Sequence, residues 1–277
     1  MTLRVVRPGP RTTVQDGGRF GFGHLGVPVA GAVDRLAVHA ANAAVGNEAD
    51  AAVLESVLGG DEFEVVASTT IAVSGATAGV LVDGVDVEAA QAISLTAGQR
   101  IRIGRASGGV YVYVAIAGGV AVAPVLGSRS TDTLSRLGPP PLAAGDVVAA
   151  GAAGAGRRTA QVASHVDADS AIAVFRGPHA SDTDFAELLA AAWTVTPQSD
   201  RVALRLSGPA LRTAGRGIPS EGLVPGAIQL APDGRPTVFL ANHPVTGGYA
   251  VIGVVAWHAV PVIAQRRPGS SVRFVAA

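Results

Sequence analysis

Short apolar runs, each closed by Gly, Pro, Asp-Gly or Ala-Gly, recur along the whole 277-residue chain, which holds 36 Gly and 17 Pro. Phe63–Ala67, Ile71–Ser74, Val80–Val82, Ile101–Ile103, Val110–Ile116, Ala171–Phe175, Val202–Leu206, Val238–Leu240, Val251–Trp257 and Val272–Val275 are too short for most helices and are rich in β-branched residues. They read as strands. Asp83-Gly84 and Asp233-Gly234 are hairpin signals, because such pairs adopt φ > 0 at little cost. Many short strands with turns at this spacing predict a mainly β chain of sandwich or barrel type.

Helices are few. Asp34 is placed to cap a helix over Arg35–Val45, with Gly46 as its stop. A second helix is expected from Ser181 to Ala192, with Ser181 as N-cap and Asp184 completing a capping box. Gly108 to Gly127 carries no charge and is long enough to span a bilayer. Its alternation Val110-Tyr111-Val112-Tyr113-Val114, followed by Gly118-Gly119 and Pro124, instead predicts a buried strand, a tight turn and a second strand. No membrane helix is expected. The Ala/Gly-rich stretch 149–160 lacks an apolar period and reads as a linker. It divides the chain into 1–150 and 151–277, with N-terminal residues allowed to exchange between the halves. Two short echoes favour related halves. Ala97-Gly98-Gln99-Arg100-Ile101 resembles Pro268-Gly269-Ser270-Ser271-Val272, and Gly31-Ala32-Val33-Asp34 resembles Gly226-Ala227-Ile228-Gln229.

The 21 basic residues, all Arg, balance 21 acidic ones. A zero net charge argues against a nucleic-acid partner. Absence of Lys excludes Schiff-base chemistry, a P-loop Lys and a Ser–Lys dyad. Absence of Cys excludes disulfides, thiolate metal sites and Cys nucleophiles. Met1-Thr2-Leu3-Arg4 lacks the apolar stretch of a secretion signal, which makes the cytoplasm the default location. Gly21-Phe22-Gly23-His24-Leu25-Gly26 has the form of a dinucleotide fingerprint, but no strand signal precedes it and Pro28 follows, so it is set aside. The six His, at 24, 39, 165, 179, 243 and 258, never fall at the i, i+4 spacing of a helical zinc pair.

Four segments set hydroxyl, amide, carboxylate and Arg beside Gly. They are Thr12-Thr13-Val14-Gln15-Asp16-Gly17-Gly18-Arg19, Gly127-Ser128-Arg129-Ser130-Thr131-Asp132, Thr196-Pro197-Gln198-Ser199-Asp200-Arg201, and Ser220-Glu221-Gly222 with Gln229 and Thr246-Gly247-Gly248-Tyr249. Turn chemistry alone explains any one of them. Together they suit an anionic ligand, since Gly admits backbone N–H groups closely and Arg forks clamp carboxylate or phosphate.

These segments, taken in order with Gly26-Val27-Pro28, Gly46-Asn47, Ala117-Gly118-Gly119, Ala264-Gln265 and Pro268-Gly269, resemble the family of the C-type subunit of 5-oxoprolinase, also called allophanate hydrolase subunit 2. That family is similar to part of the carboxyltransferase domain of urea carboxylase. The resemblance covers essentially the whole chain. It departs at His243-Pro244-Val245, where many relatives carry Arg-Gln ahead of the Thr-Gly-Gly-Tyr loop. Val202-Ala203-Leu204 likewise replaces a commoner Met-Gly or Val-Gly.

The resemblance implies two cyclophilin-like β-barrel subdomains with a few short helices. It implies a hetero-oligomer with a subunit-B-like protein and, for the full reaction, a subunit-A-like protein. That reaction is the ATP-dependent opening of the lactam of 5-oxo-L-proline to L-glutamate, a hydrolase activity. Asp16, Asp200 and Glu221 are then the candidate catalytic carboxylates. Gln15, Arg19, Ser128, Arg129, Ser130, Gln198, Ser199, Arg201, Gln229, Thr246, Gly247, Gly248 and Tyr249 are the candidate substrate and phosphate contacts. Arg19, Arg129 and Arg201 are expected to act as anion clamps. ATP and Mg²⁺ belong to the complex, and no metal site is assigned within the chain. Two alternatives stay open. One is a carboxyltransferase or allophanate hydrolase-type component of a urea amidolyase-like system, with biotin on a separate carrier because the chain has no Lys. The other is a non-catalytic regulatory partner of a subunit-B-like protein that resembles a kinase inhibitor.

Overall fold

Apolar runs become strands almost wherever Gly and Pro isolate them. The computed structural model describes residues 1–89, 91–152, 170–212 and 217–277. From position 153 onward the expected linker lies outside these residues, as does His165. The chain divides into two units, Met1–Arg19 with Asp34–Val166 and Phe20–Val33 with Asp167–Ala277. It is mainly β with a few short helices, as expected.

Unit 1 contains β1 (Leu3–Arg7), β2 (Thr12–Gln15), β3 (Val53–Val57), β4 (Glu62–Val65), β5 (Thr69–Thr77) and β6 (Val80–Val82). It continues with β7 (Val85–Val87), β8 (Ile93–Leu95), β9 (Arg100–Ile103), β10 (Gly108–Ile116) and β11 (Val147–Val148). Six strands form a sheet in the order β11-β1-β4-β9-β6-β7, and five form a second in the order β2-β3-β10-β5-β8. The inner faces share one core, with Leu3, Phe63 and Ile101 from the first sheet against Leu54, Ile71 and Val112 from the second. Each such side chain contributes roughly 1.5–3 kcal/mol on burial. Asp83 and Gly84, at φ 51° and 83°, turn β6 into β7 as the hairpin signal required. In β5, a Cβ on Gly75 would stand 2.3 Å from the Tyr111 carbonyl oxygen, so only Gly fits beside the bulge in the β5–β10 pairing.

Helix α1 (Arg35–Val45) packs an Ala/Val face on β5 and β10. Asp34 caps it by accepting the Ala37 N–H at 3.0 Å, and Gly46 closes it at φ 76°. The strand expected after Gly118-Gly119 does not form. Val120 makes a single bridge to Ala150, and Val125 turns back on Ser128. Ala123 to Leu126 lie largely open to solvent, and Pro124 has no N–H for a ladder.

Unit 2 contains β12 (Ile172–Arg176), α2 (Asp182–Ala190), β13 (Trp193–Val195), β14 (Ala203–Ser207), β15 (Glu221–Gly222) and β16 (Ala227–Leu230). It continues with β17 (Pro236–Phe239), β18 (Thr246–Gly247), β19 (Val251–Val255), α3 (Val260–Ala264), β20 (Ser271–Val272) and β21 (Phe274–Ala276). Eight strands run in the order β20-β13-β14-β17-β16-β19-β12-β21. The run expected as one strand over Val272–Val275 is split at Arg273. Its first half pairs antiparallel with β13 and its second half parallel with β12, so the two ends of the sheet lie on neighbouring stretches of chain and the barrel is nearly closed. The Ser181/Asp184 capping box is present. The ladder of β19 stops at Val255, short of the expected Trp257. Residues Trp257–Ala259 form a 3₁₀ turn leading into α3, whose Pro261 sits in the first turn where its missing N–H is no loss. No helix among the described residues is long and apolar enough to cross a membrane.

Candidate functional site

Strand β2 ends at Gln15 and delivers Asp16 to the segment that follows β10. The Asp16 carboxylate accepts hydrogen bonds from Ser128 Oγ at 2.6 Å, Ser130 Oγ at 2.5 Å, the Arg129 N–H at 2.6 Å and the Gly18 N–H at 2.8 Å. The first two polar segments are therefore brought together within unit 1. Four donors satisfy this carboxylate almost completely. Gln15 lies beneath, donating Nε2 to Thr13 Oγ1 and to the Thr131 carbonyl.

Arg19, an expected anion clamp, lies inside the loop. Its side chain is 1% exposed, and Nη2 donates to the Ser130 carbonyl at 2.6 Å. Burial lowers its pKa from the usual arginine value, with Asp132 and then Asp16 pulling it back up. It braces the loop from inside rather than opening onto a ligand. Arg129 points outward, with Nε on the Val122 carbonyl at 2.9 Å.

The third segment closes on its own turn. Asp200 Oδ1 accepts the Val202 and Ala203 N–H groups at 2.8 and 3.2 Å, and Ser199 Oγ accepts the Arg205 N–H. Gln198 lines a cleft of about 240 Å³ with Arg205 and Arg235. Arg201 is the second expected clamp that lies buried. It is 2% exposed and donates Nη2 to the Gly31 carbonyl at 2.6 Å, fastening residues 20–33 into unit 2.

The fourth segment does converge. β15 and β18 pair so that Glu221 faces Gly247 and Gly222 faces Thr246. Gln229 on β16 donates Nε2 to the Tyr249 carbonyl at 3.0 Å. A Cβ on Gly247 would stand 2.4 Å from that Nε2, so Gly is what admits the loop to the glutamine. Glu221 is exposed, with Oε2 facing His179 Nε2 at 3.3 Å. Metal spacing does not single out His179. Its place in Gly177-Pro178-His179, a turn between a strand and a helix cap, is the one signal the sequence offers for it.

His243, in the departure from the family pattern, is 5% exposed, with Nδ1 against the Pro244 carbonyl at 2.7 Å and its ring edge-on to Phe239. Burial lowers its pKa, opposed by that carbonyl. Among the described residues no group of three or more His, Asp or Glu side chains lies close enough to hold a metal ion.

Residues 25–276 match the family described as carboxyltransferase domain, subdomain A and B. The chain is 35% identical over 280 residues to the C subunit of 5-oxoprolinase from Escherichia coli (strain K12), covering 99% of this chain and 90% of that protein. It is 31% identical to urea amidolyase of Lachancea kluyveri, along 99% of this chain but 17% of that protein. The crystal structure of TTHA0988 superposes with a TM-score of 0.93 at 32% identity, covering 99% of this chain and 55% of that one. The K. lactis urea amidolyase structure gives 0.91 at 28% identity, over 18% of its chain. The chain thus spans most of the bacterial protein, about half of TTHA0988 and a small part of the urea amidolyases. It belongs to the carboxyltransferase domain family of paired subdomains A and B.

Proposed function

We propose that this chain is the C-type subunit of an ATP-dependent 5-oxoprolinase, opening 5-oxo-L-proline to L-glutamate in a complex with subunit-B-like and subunit-A-like proteins. The observation that carries this reading is the near full-length likeness to a free-standing subunit of that name. A lactam carbonyl is resonance-stabilised, so ring opening needs an activated carbonyl, a nucleophilic water and a proton for the departing amine. Glu221 is the carboxylate suited to the proton transfers. Asp16 is surrounded by four donors and Asp200 is engaged by its own turn, whereas Glu221 stands exposed beside Gly247. Gly247, paired with Glu221, and Gln229 behind it adjoin the carboxylate's strand.

The arginines do not suit ATP with Mg²⁺. Two of the three expected clamps are buried on backbone carbonyls, and no carboxylate group gathers for a metal among the described residues. No phosphoryl-transfer step is assigned to this chain, and ATP is left to its partners. The carboxyltransferase reading is favoured by the family match itself. It requires a biotin-bearing protein from elsewhere, since this chain has no Lys to carry one.

The test is glutamate formation by the purified three-component complex with ATP, Mg²⁺ and 5-oxoproline. Glu221→Gln is expected to lower kcat roughly a hundredfold, the scale of a lost general acid–base. An intact wild-type complex that forms no glutamate, yet carboxylates a small amide from a biotin carrier, overturns the proposal.

A further inference from the structure

The loop from Gly177 to Ala180 joins β12 to the N-cap of α2 and is tied across its own ends. Arg176 donates Nε and Nη2 to the Ala180 carbonyl at 3.1 and 2.7 Å. Gly177 runs so close to β19 that a Cβ there would stand 2.3 Å from the Val251 carbonyl oxygen. Within this loop His179 is fastened to Val251 twice. Its backbone N–H donates to the Val251 carbonyl at 3.1 Å, and the Val251 N–H donates to imidazole Nδ1 at 3.1 Å.

A ring nitrogen that accepts an N–H carries no proton, so the neutral imidazole holds its proton on Nε2. That nitrogen faces Glu221 Oε2 at 3.3 Å. The histidine side chain is 24% exposed and the glutamate 51%. Glu221 stands on a strand of two residues, and an unrestrained glutamate there would sample several rotamers. We infer that His179 is the positioning residue for Glu221. The Nε2–H group, with Nε2 3.3 Å from Oε2, is placed to close a hydrogen bond on that oxygen as the carboxylate settles and to leave Oε1 for the reacting group, so the clasp on Val251 would be carried through the imidazole to the carboxylate. This rests on the reading of Glu221 as the proton-transfer group.

Two near-isosteric substitutions separate the ring's two contacts. His179→Asn keeps an acceptor near the Nδ1 position but removes the donor to Glu221. His179→Gln places an amide N–H near the Nε2 position. In the assembled complex turning over 5-oxoproline, His179→Asn is expected to lower kcat roughly ten- to a hundredfold with KM within about threefold, and His179→Gln to recover most of it. Wild-type kcat in His179→Asn, or equal losses in both variants at unchanged Tm, overturns the assignment. A second readout needs no activity. ¹⁵N NMR of the labelled chain at mildly alkaline pH should show the His179 ring protonated on Nε2, with a signal that moves in Glu221→Gln. A proton on Nδ1, or a signal indifferent to Glu221, also overturns it. A wild-type complex without turnover removes the functional reading alone, and the NMR result still decides the clasp.

Discussion

Asp16 with Arg19 in unit 1 and Asp200 with Arg201 in unit 2 are the same pair of residue types in similar Gln-containing loops. In both, the guanidinium is buried and Nη2 stands 2.6 Å from a backbone carbonyl, that of Ser130 or of Gly31. The carboxylates part company. Asp16 is inside, and three of its four donors come from more than a hundred residues away. Asp200 is exposed and takes its two donors from the next three residues. Unit 1 uses the whole pair as a tertiary knot, while unit 2 uses only the arginine that way. A polar cluster beside Gly therefore says little about ligands until the source of its donors is known.

The comparison breaks most visibly at Asp16. Asp16→Ala abandons four donors in buried space and should cost about 3–5 kcal/mol in urea unfolding, the scale of a disrupted buried charge. A loss below about 1 kcal/mol would erase the distinction between the loops. Asp200→Ala removes one solvent-exposed turn and should cost about 0.5–1 kcal/mol by the same measurement. Acid should separate the units more gently. The folded pKa of His243 in unit 2 lies below its ordinary 6.5, so from about that pH downward the unfolded chain binds a proton the folded one refuses. Stability of unit 2 then declines until the pH passes the folded value, and His243→Phe should flatten the slope. In unit 1, burial pushes Asp50 up, but bonds from His39 and Arg35 outweigh it and hold its pKa below 3.8. Its contribution persists above that value and is lost only as pH falls further. Hydrogen exchange against pH should show unit 2 loosening first, and the reverse order would contradict both signs.

Local rules made much of the fold legible. Asp34, Gly46, Ser181 and Asp184 cap their helices because capping depends on a few adjacent residues. Even the echo of Ala97-Gly98 in Pro268-Gly269 is matched in the backbone, with φ 92° and 88° at the two glycines ahead of strands. What failed was non-local. The split at Arg273 follows from each half pairing with a different edge of the sheet, which periodicity cannot register. That Arg19 and Arg201 are buried was not legible either, because composition marks a charge but not the direction it faces. Only the Gly177-Pro178 turn beside it marks His179, because its side-chain contacts are with Val251 and Glu221, neither of them near it in sequence.

The strip from Phe20 to Val33 belongs to unit 2, although the chain around it builds unit 1. Gly31 and the arginine that fastens it are separated by 170 positions. On a ribosome this strip emerges early and must wait, undocked, until the distant half of its barrel has been made. Cutting the gene at the midpoint would therefore yield two incomplete fragments, and co-expressing them should restore unit 2 only when the first fragment brings the strip with it.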